Sequence, residues 1–415
     1  MSKNIIVGQS GGPTAVINAS LAGIFAEARD MEADKIYGMV NGVEGLLKGT
    51  IADLSEYIKT TEDIKILCQT PSSFLGSCRF KLPNIEKGNE IFEKIFEKLN
   101  ELEIEAFFYI GGNDSMDTIK KLANYAKIIG SSIKFIGAPK TIDNDLAVTD
   151  HTPGFGSAAK YIATMTKEII CDSAAYDLKS VTILEIMGRN AGWLTGASAL
   201  ARGEDCEGPD LIYLPEIPFD MDSFTEKVKN LFEVKNTLVI AISEGIAFKD
   251  GTNVCEMCFK NENLDAFGHK SLTGAAQYLA AELSSNLGCK ARSIEFSTLQ
   301  RAAAHIASDT DINEAFMSGA HAVRAAFDGE TGKMVILERA AGKEYKCVTK
   351  TYDIDKIANE VKTVPLSWIN DEGTNVTEEF INYARPLICG ENDIIYKNGL
   401  PVHLKLKNKV VQPRD

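Results

Sequence analysis

An α/β fold with mainly parallel sheets is predicted by three features of the sequence. Short runs rich in valine and isoleucine recur along the chain, each ends in glycine or a polar turn, and each leads into a helical pattern. In chain order the runs are residues 4–7, 36–40, 107–110, 133–137, 181–187, 211–214, 238–242, 294–297 and 334–337. Most are too apolar to expose a face, as strands buried in a parallel sheet are. The clearest helix spans residues 88–103, where Ile91, Ile95, Leu99 and Leu102 repeat at intervals of three and four while glutamate and lysine take the other side. That pattern predicts a helix covering a sheet.

The length of 415 residues corresponds to two or three domains. A chain 45% hydrophobic and 25% charged is ordinary for a globular protein, which excludes collagen-like, coiled-coil and largely disordered readings. With 44 basic against 58 acidic residues the net charge is −14, so there is no electrostatic footprint for nucleic acid or an anionic membrane. Small-molecule chemistry is the expectation. Nine cysteines, an odd number scattered along a long chain, do not form a secreted disulfide framework. Cys255 and Cys258 make one C-x-x-C, but the histidines at 151, 269, 305, 321 and 403 do not stand at ligand spacing from it, and a pair of reduced thiols is expected. The opening MSKNIIVGQSGG lacks a signal-peptide core, and no apolar stretch reaches membrane-spanning length, so a cytoplasmic protein is expected. Residues 249–270 read as a polar insertion loop, and the hundred residues from Gly319 onward carry no motif that points to chemistry.

Three strand-to-turn junctions place small or polar residues where a backbone approaches an anion. The first is Gln9-Ser10-Gly11-Gly12-Pro13-Thr14, and the second is Gly111-Gly112-Asn113-Asp114-Ser115. Glycine lets main-chain N–H groups point at a phosphate, and a helix N-terminus adds partial positive charge. Tight glycine turns also end strands for purely steric reasons. Neither junction fits the spacing of a dinucleotide fold or a P-loop. The third junction, Pro139-Lys140-Thr141-Ile142-Asp143-Asn144-Asp145, sets two carboxylates two residues apart beside a lysine. One carboxylate suits proton abstraction, the other a metal, and the lysine offsets phosphate charge. A surface turn would use the same residue types, and composition alone leaves both readings open. Further on, Met187-Gly188-Arg189, Ser243-Glu244-Gly245 and Thr298-Leu299-Gln300-Arg301, with Arg292 just before, follow other strands. Arginines there suit a phosphate monoester and a glutamate suits sugar hydroxyls.

Through GQSGGPTAVINA, GSCRF, IGGNDS, PKTIDND, MGRNAGW, ISEG and LQRAAAH, in that order, the chain resembles the phosphofructokinases, and within them the diphosphate-dependent branch. The resemblance covers about residues 3–320. It implies two Rossmann-like three-layer domains: a phosphoryl-donor domain over residues 1–145 completed by 303–350, and a sugar-phosphate domain over 146–302. Residues 351–415 would complete the fold or an interface. The implied reaction is reversible phosphoryl transfer from magnesium diphosphate to the 1-hydroxyl of fructose 6-phosphate. By the same resemblance Asp143 is the base, and Thr141, Met187, Gly188, Arg189, Glu244 and Arg301 hold the sugar phosphate. Arg292 reaches a neighbouring subunit's sugar phosphate in a homodimer or homotetramer. Gly12, Arg79 and Gly112 contact the donor, and Asn113 meets Mg2+.

Donor choice turns on two positions where the ATP-dependent branch has glycine and this chain has Asp114 and Lys140. The aspartate repels a nucleotide's α-phosphate, and the lysine stabilises a diphosphate that leaves as phosphate. The chain departs from the family pattern in several places. Asn113 stands where an aspartate is usual, which leaves Asp114 or Asp145 to share the metal. Ala302 and Ala303 replace glycines, and Thr298 replaces a histidine or tyrosine. Ala22 and Ala26 replace effector-binding arginines, so nucleotide or phosphoenolpyruvate regulation is not expected. The rival expectations are an ATP-dependent enzyme and a catalytically silent sugar-phosphate-binding regulator. A dehydrogenase on a similar frame lacks the required glycine spacing.

Overall fold

The computed structural model describes residues 3–87, 89–258, 273–342, 344–357 and 361–406. The first part of the chain alternates strand and helix: β1 (Asn4–Gln9), α1 (Ile17–Asp30), β2 (Ile36–Met39), α2 (Gly42–Leu47), β3 (Ile51–Asp53), α3 (Thr61–Gln69), α4 (Asn89–Glu101), β4 (Ile104–Gly111), α5 (Asn113–Ile129) and β5 (Lys134–Pro139). A second run follows with α6 (Phe155–Ser173), β6 (Ser180–Ile186), α7 (Trp193–Gly196), β7 (Leu211–Tyr213), α8 (Met221–Leu231), β8 (Thr237–Ser243), α9 (Ala275–Leu287) and β9 (Lys290–Glu295). The chain then passes through α10 (Leu299–Ala302) and α11 (Asp309–Phe327) into β10 (Lys333–Arg339), β11 (Cys347–Asp353) and α12 (Glu378–Ala384).

These strands make two sheets. One has the order β11-β10-β5-β4-β1-β2-β3, parallel except for its two edge strands, and the other has the order β7-β8-β6-β9, parallel throughout. The period-two alternation of strand side chains splits each sheet's apolar residues between two faces. Ile5, Val7, Phe108 and Ile110 pack with α1 and α11, whereas Ile6, Phe107, Tyr109 and Phe135 pack with α4 and α5. In the second sheet Val181, Ile183 and Ile240 meet α8 and α9, while Leu184, Ile186 and Val239 meet α6 and α7. Each sheet is thus the middle of three layers, the Rossmann-like arrangement expected from the sequence.

The strand runs lie where the apolar pattern puts them, except that β9 begins at Lys290 and ends at Glu295 rather than covering 294–297. It is an edge strand with half-exposed and exposed residues, so its apolar stretch marks only its end. The antiparallel edges β3 and β11 are short or polar (IAD, CVTKTYD) and lack the buried-strand signature. In α4 the deepest side chains are Phe92, Ile95, Phe96 and Leu99, with Ile91 on the margin and Leu102 just past the helix end.

The C-terminal part serves both sheets. Strands β10 and β11 extend the first, while Val364, Ile369, Val376, Phe380 and Leu387 join the core of the second. Beyond them, Gln69 at the end of α3 donates to the carbonyls of Ile395 and Val402. Of the polar tract 249–270, residues 259–270 lie outside the described residues, as does His269. Cys255 is buried, with its thiol pushed up to about 11 chiefly by burial, and the Cys258 sulfur donates to the Gly274 carbonyl, so both behave as reduced thiols packed in the fold.

Helices α1 and α11 approach through glycine. A Cβ on Gly319 would stand 2.0 Å from the Ser20 carbonyl oxygen, and one on Gly23 would stand 2.0 Å from that of Phe316. Gly319→Ala is therefore expected to force the helices apart and cost about 1–3 kcal/mol, read as a lowered urea midpoint. An unchanged midpoint would show that the contact yields without cost.

Candidate active site

The C-terminal ends of the strands of both sheets face one another across a cavity of about 690 Å³. Ligand sites in parallel α/β folds form at this end, where loops leave the sheet and helix N-termini point inward. After β1 the chain turns through Gly11, whose φ of +76° suits glycine, and the turn is pinned by the Ser77 hydroxyl donating to the Gly11 carbonyl. After β4, Gly112 precedes α5 and its carbonyl accepts the first helical N–H groups, so Asn113 and Asp114 occupy the first turn.

The turn after β5 forms the floor. The Lys140 amide bonds the Gly111 carbonyl, and its buried ammonium donates to the Gly12 carbonyl at 2.7 Å, linking the three junctions. The Thr141 hydroxyl accepts from the Asp143 amide at 3.1 Å, and the Thr141 carbonyl accepts from Thr152 at 2.8 Å. From the second sheet come Met187, Arg189, Asn190 and Glu244, with Arg301 from α10. Buried Gln300 joins two of these segments by accepting from the Met187 amide. Gly188, at φ +135°, brings its N–H to 3.5 Å from the Glu244 carboxylate.

Of the residues singled out from the sequence, Gly12, Arg79, Gly112, Asn113, Asp114, Lys140, Thr141, Asp143, Asp145, Met187, Arg189, Glu244 and Arg301 all line this cavity. Gly188 lies behind the wall, buried, and acts on it through Glu244. Arg292 is elsewhere, exposed on the edge strand β9 beside Tyr176 and Lys290. Ser10, Gly11, Pro13, Ser115 and Ile142 of the three junctions line the cavity too, and sequence reasoning did not single out Phe80, Asn190 or Thr273, which also do. Phe80 and Asn190 stand inside quoted motifs, a signal that was available, whereas Thr273 follows a motif-free stretch.

Removal from water dominates the electrostatics. Burial, followed by the Asp145 charge, raises the Asp143 carboxyl to about 7, against the pull of Lys140, Arg301 and Arg189. Burial lowers Lys140 to about 8 although Asp143 opposes this, and burial with the nearby Asp143 charge raises Glu244 to about 7. A proton acceptor poised near neutrality, a partly desolvated ammonium and two arginines therefore share one cavity. Such a set suits proton abstraction beside a polyanion.

The Asn113 side-chain oxygen is buried without a hydrogen-bond partner and lies with Asp114, Asp143 and Asp145 on the cavity wall. Hard oxygen donors of this kind fit magnesium, which takes one or two protein oxygens and completes its shell with water and phosphate. Among the described residues, His151, Glu314 and Cys347 also converge. Both ring nitrogens of His151 are already engaged, with Asp150 at 2.8 Å and Glu314 at 2.6 Å, and Tyr345 donates to Glu314 at 2.6 Å, so the cluster is a satisfied core network.

The wall depends on close backbone packing. A Cβ on Gly245 would stand 2.0 Å from the Arg189 carbonyl oxygen. Gly245→Ala is expected to displace the Arg189 segment and cost about 1–3 kcal/mol in a urea melt. Wild-type stability would show that the Arg189 segment moves freely.

The profile of the family described as Phosphofructokinase matches residues 4–326. Over 413 residues, 99% of this chain and 97% of the relative, the sequence is 39% identical to a pyrophosphate–fructose 6-phosphate 1-phosphotransferase of Halomonas elongata. It is 40% identical over 411 residues, 98% and 97% of the two chains, to the protein of that name from Xanthomonas campestris pv. campestris. The crystal structure of a pyrophosphate-dependent phosphofructokinase from Nitrosospira multiformis is similar with a TM-score of 0.89 at 36% identity, covering 100% of this chain and 99% of the other. Because the likeness runs through both sheets and the cavity between them, and along almost the whole length, the chain belongs to the phosphofructokinase family.

Proposed function

We propose that the protein transfers a phosphoryl group reversibly from diphosphate to the 1-hydroxyl of fructose 6-phosphate, giving fructose 1,6-bisphosphate and phosphate. One observation carries this reading: Asp143, held near neutrality, shares the cavity with Lys140 and Asp114, at the two positions that separate diphosphate from nucleotide donors. Relatives of nearly full-length similarity carry the corresponding name.

In the forward direction Asp143 takes the proton of the sugar hydroxyl as its oxygen attacks the terminal phosphorus. The bridging P–O bond breaks, and phosphate leaves with the bond's electrons. Lys140 and the N–H groups of Gly12 and Gly112 offset the charge on the transferring group, and Arg79 binds the donor. Thr141, Met187, Arg189, Glu244 and Arg301 hold the sugar phosphate, with Gly188 fixing Glu244. In reverse, protonated Asp143 returns its proton to the departing sugar oxygen. Asn113, with Asp114 or Asp145, would hold magnesium, which when bound neutralises and aligns the phosphates.

The parts of the chain divide accordingly. Residues 1–145, completed by 303–350, serve the donor, residues 146–302 serve the sugar phosphate, and residues 351–415 complete the fold. Arg292 would serve a neighbouring copy's sugar phosphate in a homodimer or homotetramer, a reading that its exposure on an edge strand away from the cavity is compatible with. Nine unpaired cysteines suit the cytoplasm, and none of the helices among the described residues is long and apolar enough to cross a membrane.

Asp143→Asn is expected to lower kcat by about 10² or more, while the KM for fructose 6-phosphate changes little. In the wild type, kcat/KM should rise with pH through about 7, because only the deprotonated Asp143 accepts the proton, and should be lost below that value. Near-normal turnover in the variant would remove Asp143 from this role.

A further inference from the structure

The turn that carries Asp143 and Asp145 continues into a loop whose backbone is strained at two non-glycine positions, Asn144 at φ +54° and Val148 at φ +70°. A β-branched residue in the left-handed region persists only where its surroundings over-determine it. Much of that determination comes from Lys362, in the C-terminal segment where the sequence shows no motif. Its main-chain N–H donates to the Asp145 carbonyl at 2.8 Å. Its ammonium reaches the carbonyls of Asp150 at 2.7 Å and Thr149 at 3.2 Å, and the side-chain oxygen of Asn144 at 3.4 Å. An ammonium has three N–H bonds, and three oxygens from the two ends of the loop meet them.

The lysine is itself held. Its carbonyl accepts from the Trp193 indole at 2.9 Å, and its ammonium lies 5.2 Å from that ring's centre. Burial lowers it to about 8 while the Asp150 and Asp145 charges oppose the shift. The Tyr383 hydroxyl closes the arrangement, accepting from the Asn144 amide at 2.8 Å and donating to the Asp150 carbonyl at 2.7 Å. Fully buried Asn144, between Asp143 and Asp145, is therefore gripped by two residues of the C-terminal segment.

We infer that Lys362 is a positioning residue, tying both ends of the 144–150 loop to one point and so fixing where Asp143 stands against the reacting hydroxyl. The inference rests on the proposed phosphoryl transfer with Asp143 as base. A neutral side chain at 362 would leave the three oxygens without their shared donor and let the strained loop relax. A base displaced by a fraction of an ångström loses rate while most substrate contacts persist, because Met187, Arg189, Glu244 and Arg301 stand on other segments.

The test is steady-state kinetics of the full chain and its Lys362→Gln and Lys362→Arg variants with diphosphate and fructose 6-phosphate, with folding checked by circular dichroism and thermal melting. Lys362→Gln is expected to lower kcat by about tenfold or more while the KM for either substrate moves less than about threefold. Lys362→Arg keeps the charge, but no single atom reaches all three oxygens, so it should fold and lose about threefold or more in kcat with KM held. The arginine variant decides the matter if the glutamine variant does not fold. Turnover by the wild type together with wild-type kcat in a folded variant overturns the role of Lys362, as does a proportional change of kcat and KM. No turnover by the wild type overturns the functional reading itself, and this inference with it.

Discussion

Several ionisable groups are withdrawn from water between the two sheets, and the rest of the structure depends on how they compensate one another. Asp143 and Lys140 each have burial as the largest influence on their ionisation, in opposite directions, and each is partly restored by the other. An uncompensated charge in such a place would be expensive, and the fold avoids that by bringing cations and carboxylates from different strand ends to one cavity. The Lys140 ammonium, seated on the Gly12 carbonyl, ties the turn after β5 to the turn after β1. A carboxyl raised to about 7 can both take and return a proton, which is what the proposed reversible transfer asks of Asp143.

Parallel sheets make this convergence possible, because every strand ends on the same side and each loop can contribute one or two groups. The second sheet's contributions are stiffened by contacts within the protein: Gln300 on the Met187 amide, the Ser243 hydroxyl on the Gly188 carbonyl, and Gly245 against the Arg189 backbone. The C-terminal segment adds a second level. Residues far along the chain return to brace the loop behind Asp143 and also complete the core of the second sheet. Stability and site geometry thus share the same contacts.

Much of this was legible in the sequence. The buried parallel strands announce themselves as apolar runs, and the motif residues at their ends converge because strand ends converge. The edge strands β3 and β11 were not legible, since β3 is only three residues long and the half-exposed, polar β11 has no continuous apolar run. Nor was the bracing by Lys362, which meets Asp150 across a separation of 212 residues and leaves no local pattern. Gly188 and Arg292 show another limit. A motif tells which residues belong to a site's neighbourhood, but whether one forms the wall, supports it or faces outward is set by the path of the backbone. The C-x-x-C pair shows the converse, a suggestive spacing whose thiols are simply packed in the fold.

The central claim is that Asp114 and Lys140, on the wall and floor of the cavity, select diphosphate over a nucleotide. The most direct test compares initial rates with diphosphate and with ATP at matched concentrations, using fructose 6-phosphate and magnesium, for the wild type and the Asp114→Gly/Lys140→Gly double variant. The account predicts turnover of diphosphate alone by the wild type and a loss of at least about tenfold in that activity in the double variant. Turnover of ATP by the wild type, with donor preference unchanged by the two substitutions, would contradict it.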